Sequence, residues 1–217
     1  MNYNINDILP YVENYEFSEY FTSREEDFLI SSVDCEDELS FDWEDGASKL
    51  VIVPENKDYV IKIPFNARYD NFSCEYYDYS QNYCTTEMDL YYKIANEENP
   101  IFAQFFLPLT YIEEFENWEI YIQPKCQIYN NLDENERSRS YSKNSFDKIK
   151  ANKNVSYSTT LPLDWLAAVT EVLGDIDLVV EFINMLEKYD INQDLHSGNI
   201  GYYNGKPIIL DYAGFYD

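Results

Sequence analysis

The dipeptide Asn204-Gly205 constrains the fold of this chain more than any other pair of residues. It separates two β-prone runs, "IGYY" and "KPIIL", and Asn-Gly accepts the positive φ angles that a two-residue type I′ turn imposes at both central positions. A closed hairpin is therefore predicted, with a register fixed by counting outward from the turn. Tyr203 faces Lys206, Gly201 faces Ile208, and Asn199 faces Leu210. Asn199 and Asp211 then lie one residue from direct opposition at the open end of the hairpin. Cross-strand neighbours sit roughly 5 Å apart, a separation that one or two hard cations bridge with oxygen ligands. Asp194, five residues before Asn199, enters that end from the preceding loop. The alternative reading is a surface turn carrying ordinary capping Asx residues.

A second hairpin is signalled upstream, where Leu50–Val53 and Tyr59–Ile63 flank the polar turn "PENKD". Symmetric counting about that turn places Lys62 near Leu50, just after the "DGASK" loop. The following segment has helix character from about Thr85 to Ala95, and its apolar stripe, Leu90/Tyr91 and Ile94, also carries Glu87. An unpaired buried charge costs several kcal/mol, so a lysine in an aliphatic strand and a glutamate on a buried stripe each need a partner. Pairing Lys62 with Glu87 satisfies both and leaves the ammonium able to reach an anion. Taken singly, each has a plainer account: a lysine whose head reaches water and a glutamate at a helix edge. "WEIYIQPKC" reads as a further strand ending at Pro124.

The rest of the chain divides by composition. Residues 1–42 read as an acidic extension. From about 130 to 158 the sequence turns polar, and 137–153 holds Arg137, Arg139, Lys143, Lys148, Lys150 and Lys153 with Asp147 as its one acid. We read this stretch as a mobile loop with a solvated surface. Pro162 and Gly174 bracket one helix, and a second runs from about Asp177 to Tyr189. The expected fold class is thus α+β.

Charge and cysteine usage narrow the partners. The net charge is −26, and residues 1–45 carry fourteen acids against Arg24, so direct nucleic-acid binding is disfavoured and cationic partners are favoured. No apolar run approaches the roughly 20 residues of a membrane span, and the N-terminus lacks the basic-then-apolar pattern of a secretory leader. Four cysteines without a CxxC pair, and a single His, disfavour zinc and suit a reduced, cytoplasmic setting.

An Asp, an Asn five residues later and an Asp across a short hairpin form the arrangement that kinases use. "DLHSGNIG" with "LDYAGF" resembles the protein-kinase-like superfamily, in particular the aminoglycoside-phosphotransferase branch, whose catalytic loop carries D-L-H-x-x-N. Over about residues 43–217 the assembly is similar to the short kinase-like proteins of bacteriophages and mobile elements. The resemblance implies a two-lobe fold, with an antiparallel sheet in the N-lobe, residues 43–125, and a truncated, mainly helical C-lobe, residues 126–217. It implies ATP and Mg²⁺ as cofactors, Asp194 as catalytic base, Asn199 and Asp211 as metal ligands, and Lys62 with Glu87 as the phosphate-anchoring pair. Gly46, Ser48 and Lys49 would belong to the phosphate-facing loop, and Gln123 and Lys125 to the adenine-contacting hinge. The sequence departs from the family in four respects: "DGASK" has one glycine, Asn192 stands where kinases usually have His, "DYAGF" replaces the usual D-F-G with D-Y-A-G, and the substrate-presenting segment is expected to be absent after Asp217.

Two functions follow. The first is a minimal ATP/Mg-dependent phosphotransferase acting on a cationic small molecule or a basic protein. The second is a pseudokinase, an acidic binding protein that mimics nucleic acid and inhibits a basic host-defence complex. Transfer of a nucleotidyl group is a third possibility within the first class.

Overall fold

The computed structural model of the chain describes residues 3–12, 41–45, 49–64, 67–70, 75–78, 82–115, 118–156, 160–193 and 195–213. It is a mixed α+β protein built on an antiparallel sheet. Backbone packing divides it into two compact units: Met1–Cys84 with Leu109–Pro124, and Thr85–Pro108 with Lys125–Asp217.

The first unit holds a five-stranded sheet in the order β1-β2-β3-β7-β6. Its strands are β1 (Phe41–Asp45), β2 (Lys49–Pro54), β3 (Tyr59–Pro64), β6 (Thr110–Phe115) and β7 (Trp118–Pro124). A separate ribbon pairs β4 (Ala67–Asp70) with β5 (Glu75–Asp78). Alternation in "KLVIVP", "YVIKIP" and "WEIYIQP" sorts side chains to two faces. Leu50, Ile52, Tyr59, Ile61, Ile63, Ile120 and Ile122 fill one face and pack with Ile8, Tyr11 and Val12. The last two belong to a single helical turn, α1 (Leu9–Val12). Residues 3–12 are therefore part of this core, not an acidic extension lying apart from it. Their apolar positions are too few to outweigh the surrounding acids in a compositional reading.

The β2–β3 register differs from the symmetric count by one residue: Lys62 pairs with Val51, and Leu50 with Ile63. The connecting loop is 55–58, four residues instead of five. A one-residue slip would turn a whole strand over. The observed register is the one that puts Leu50 and Ile52 on the same face as Ile61 and Ile63, where all four are buried.

Tyr59 shows how tightly this core is closed. Its ring meets Tyr3 edge to face, with centroids 5.4 Å apart. Burial first, then the neighbouring Tyr11, Asp7, Asp58 and Tyr3, push its hydroxyl pKa up to about 12. A phenol whose folded pKa is raised stabilises the fold below the ordinary value of 10, and that contribution is lost as pH rises from 10 to 12. Tyr59→Phe should therefore flatten part of the alkaline loss of stability in urea titrations between those pH values. An unchanged alkaline limb would show that Tyr59 ionises freely in the folded protein.

The second unit is mainly helical. Its helices are most of α2 (Tyr83–Glu97), then α3 (Glu134–Arg137), α4 (Lys143–Ala151), α5 (Lys153–Ser156), α6 (Leu163–Leu173) and α7 (Ile176–Lys188). A small antiparallel sheet runs β10-β9-β8, from β8 (Gln127–Ile128), β9 (Ile200–Tyr203) and β10 (Lys206–Ile209). The core collects Ile94, Phe102, Phe105, Phe106, Trp165, Phe182, Ile200 and Ile209 among others. α6 is buried from Trp165 through Thr170 and is its centre. Gly174 ends it at φ 73°, a left-handed cap that donates its N–H to Thr170 O at 2.8 Å.

The polar stretch 130–158, expected as a mobile loop, is helical over most of its described length. Local caps account for the difference. Asp133 and Glu136 form a reciprocal capping box on α3, with hydrogen bonds of 2.8 and 2.9 Å. Ser142 caps α4, and Ile149 and Val155 sink into the core.

Candidate functional site

The sheet of the first unit has a second face, on which Val51, Val60 and Pro64 alternate with polar side chains. Pairing of Lys62 with Tyr121, of Val60 with Gln123 and of Lys49 with Pro64 puts Lys49, Lys62, Tyr121 and Gln123 on one side. All four are buried: Lys49 and Lys62 are each 2% exposed and Gln123 1%. At the same edge Tyr121 and Asn82 both hydrogen-bond to the Glu119 carboxylate, and Asn82 also donates to the Tyr121 hydroxyl at 3.1 Å. The face thus combines two buried ammonium groups with a fixed carboxylate–phenol–amide cluster.

Lys49 sharing this face with Lys62 was not legible from the sequence, because the symmetric register turned β2 over. Asn82, Glu119 and Tyr121 also escaped notice. Sequence offers one signal for them: polar residues alternating with Ile120 and Ile122 in a strand whose other face is core. Lys125 follows β7 half-buried, at the point where the chain passes from the first unit to the second. Gly46, Ser48 and Asp194 lie outside the described residues.

In the second unit, Glu87 is fully buried on α2, one turn before Leu90 and two before Ile94. The closing hairpin has the anticipated register, Lys206 to Tyr203 and Ile208 to Gly201. Its turn has φ 51° at Asn204 and 76° at Gly205, the positive pair of a type I′ turn. Beyond the strand ends the ladder continues, with Leu210 N–H donating to Asn199 O at 3.0 Å. Asn199 and Asp211 therefore sit at the same open end. Just before them, Asn199 N–H donates to His196 O at 2.9 Å, and Gly198 N–H donates to His196 Nδ1 at 3.0 Å. Both bonds close the turn that presents Asn199. The Asn192 side-chain oxygen, near the start of this loop, is buried without a hydrogen-bond partner.

Behind the hairpin, β9 is clamped between β8 and α6. Trp165 Nε1 donates to Gly201 O at 3.2 Å, and β8 approaches so closely that a Cβ on Gly201 would lie 2.2 Å from Gln127 O. Gly201→Ala is expected to cost about 1–3 kcal/mol through this overlap. A fall in the urea midpoint at unchanged slope would report it; no change would mean that β8 moves aside freely.

Asn199 and Asp211 supply an amide and a carboxylate oxygen, donors suited to a hard cation such as Mg²⁺. Among the described residues there is no group of three or more His, Cys, Asp or Glu placed to hold a metal ion. No helix there is long and apolar enough to cross a membrane. Compared with protein-family models, curated proteins and solved structures, the chain matches none.

Proposed function

We propose that the chain is a minimal kinase-like, ATP- and Mg²⁺-dependent phosphotransferase of two-lobe type. The observation that carries this reading is the burial of Lys62 on an otherwise aliphatic strand, with a second buried lysine, Lys49, beside it. Further support comes from the order of elements: a lysine strand, a helix with a buried glutamate, a strand ending in Gln123, helices, and a hairpin carrying Asn199 and Asp211. On this reading Lys62, partnered by Glu87, anchors nucleotide phosphates. Gly46, Ser48 and Lys49 line the phosphate side, and Gln123 and Lys125 contact the base. Asn199 and Asp211 would hold Mg²⁺ through an amide and a carboxylate oxygen, donor types that suit a hard cation. Bound there, the ion would supply positive charge to offset that on the phosphates, while Asp194 would orient the acceptor hydroxyl. The acidic surface favours a cationic acceptor, an amine-rich small molecule or a basic protein.

The direct test is whether Mg-ATP binds, and whether that binding needs Asp211. A second reading rests on one separate observation, the fourteen acids in residues 1–45: an acidic protein that occupies the nucleic-acid groove of a basic complex without turnover. The two part on Mg-ATP, which the second reading does not require.

A further inference from the structure

In a chain with 41 acidic and 15 basic side chains, a surface base is rarely far from a carboxylate. Five bases nonetheless stand without an ion pair among the described residues. Arg139, Lys143, Lys148, Lys150 and Lys153 are all exposed. By contrast, Arg137 in the same stretch is committed: Nε donates to Asp164 at 3.1 Å, an NH group to Leu132 O at 2.6 Å, and the guanidinium lies over the Tyr129 ring.

The five sit on a firm support. α4 buries Ser145 and Ile149, and the Glu171 carboxylate accepts from Ser145 Oγ at 2.6 Å and from Ser142 N–H at 3.0 Å. Those hydrogen bonds, Ser145 foremost, and the nearby Lys148 charge hold the Glu171 carboxyl below the usual carboxylate range. Glu171 thus lies within electrostatic reach of Lys148, while its oxygens are engaged by the helix cap. On the outward face, Lys143 and Lys150 are two turns apart, about 10 Å along the axis. Asp147 shares their stripe without pairing with either. On the other flank, Lys148 and Lys153 line an open cleft of about 690 Å³ with Asn152, Gly174 and Asp175. The Asp175 carboxylate in that cleft is engaged in capping α7, accepting from Asp177 N–H at 3.0 Å.

The extent of the patch sets the size of its partner. α4 has nine residues, a length of about 13 Å, which an extended segment of four or five residues covers. Asp133, Glu134 and Glu136 precede it, and Asp175 lines the cleft. A long polyanion would run from the lysines onto these acids. At physiological salt charges act over roughly 8 Å, so a short anionic segment meets the lysines and avoids the rest.

We propose that the outward face of α4 and the adjoining cleft dock a short acidic segment of a partner protein. This surface is distinct from the nucleotide site and does not depend on it. Fluorescein-labelled hexaglutamate, followed by anisotropy at low salt and without nucleotide, is the probe. It should bind, weaken steeply as salt rises, and lose at least tenfold in affinity with K143E/K150E. The neutral pair K143Q/K150Q should lose less, and circular dichroism should show both variants folded, since the replaced side chains are exposed. K93E/K206E makes the same change in net charge at exposed lysines elsewhere in the unit and should alter affinity by less than twofold. Absence of binding, or equal losses in the two charge-reversal variants, would overturn the proposal. So would tighter binding of a twelve-nucleotide single strand, which would make the patch a nucleic-acid contact.

Discussion

Saturating Mg-ATP is expected to raise the melting temperature of the protein, and Asp211→Ala to remove the rise. Ligand at a hundredfold over its dissociation constant stabilises the native state by about 2.7 kcal/mol, which for a chain of this size corresponds to roughly 5–10 °C. Asp211 offers the only carboxylate of the Asn199–Asp211 pair, so its loss should remove the ion and the affinity that depends on it. Lys62→Met should have the same effect on the shift for a different reason, because it takes away the phosphate contact and leaves the metal ligands intact. Titrating Mg²⁺ at fixed ATP separates the two: the Lys62 variant should not change the metal requirement, whereas the Asp211 variant should. A melting temperature indifferent to millimolar Mg-ATP would end the phosphotransferase reading and leave the acidic binding protein standing.

The largest stability effect should come from Trp165. Its side chain is fully buried at the centre of the second core, and its indole N–H carries the hydrogen bond to Gly201 O. Trp165→Ala should cost about 3–5 kcal/mol, read as a drop in the denaturant midpoint. Trp165→Phe keeps most of the volume but leaves the carbonyl without that donor, so about 1–3 kcal/mol is expected. Because the same hydrogen bond steadies the strand leading from Asn199, the Phe variant should also weaken any Mg-ATP shift more than its stability alone explains. A Phe variant as stable as the parent would show that the Gly201 carbonyl finds another donor.

What could be read in the chain before its structure follows from how local each determinant is. Asn204-Gly205 encodes its turn within two residues, and the predicted register followed without error. Pro162 and Gly174 likewise mark the ends of α6 through their own backbone preferences. The β2–β3 register was missed because "PENKD" is compatible with loops of four or five residues. The choice is made by burial of Leu50 and Ile52 with Ile61 and Ile63, a condition that spans both strands. The helices of 134–156 were missed because their signals are caps and isolated apolar residues, not a sustained period. For the candidate site, Lys62, Glu87, Asn199 and Asp211 stand out singly as polar groups in apolar or turn settings. Lys49 and Gln123 were named through the resemblance alone, and their place on the face of Lys62 emerges only from strand pairing.

The outermost strand of the large sheet has a consequence of its own. Among the described residues β6 pairs on one side only and is largely exposed, yet its register slips between Tyr111 and Glu113, and Glu113 and Glu114 both face water. Another chain trying to extend the sheet along 110–115 would find its hydrogen-bonding row interrupted halfway and two negative charges waiting. For a molecule rich in tyrosine and phenylalanine, that interruption guards against fibre-like stacking at the concentrations where so aromatic a polypeptide would otherwise be at risk.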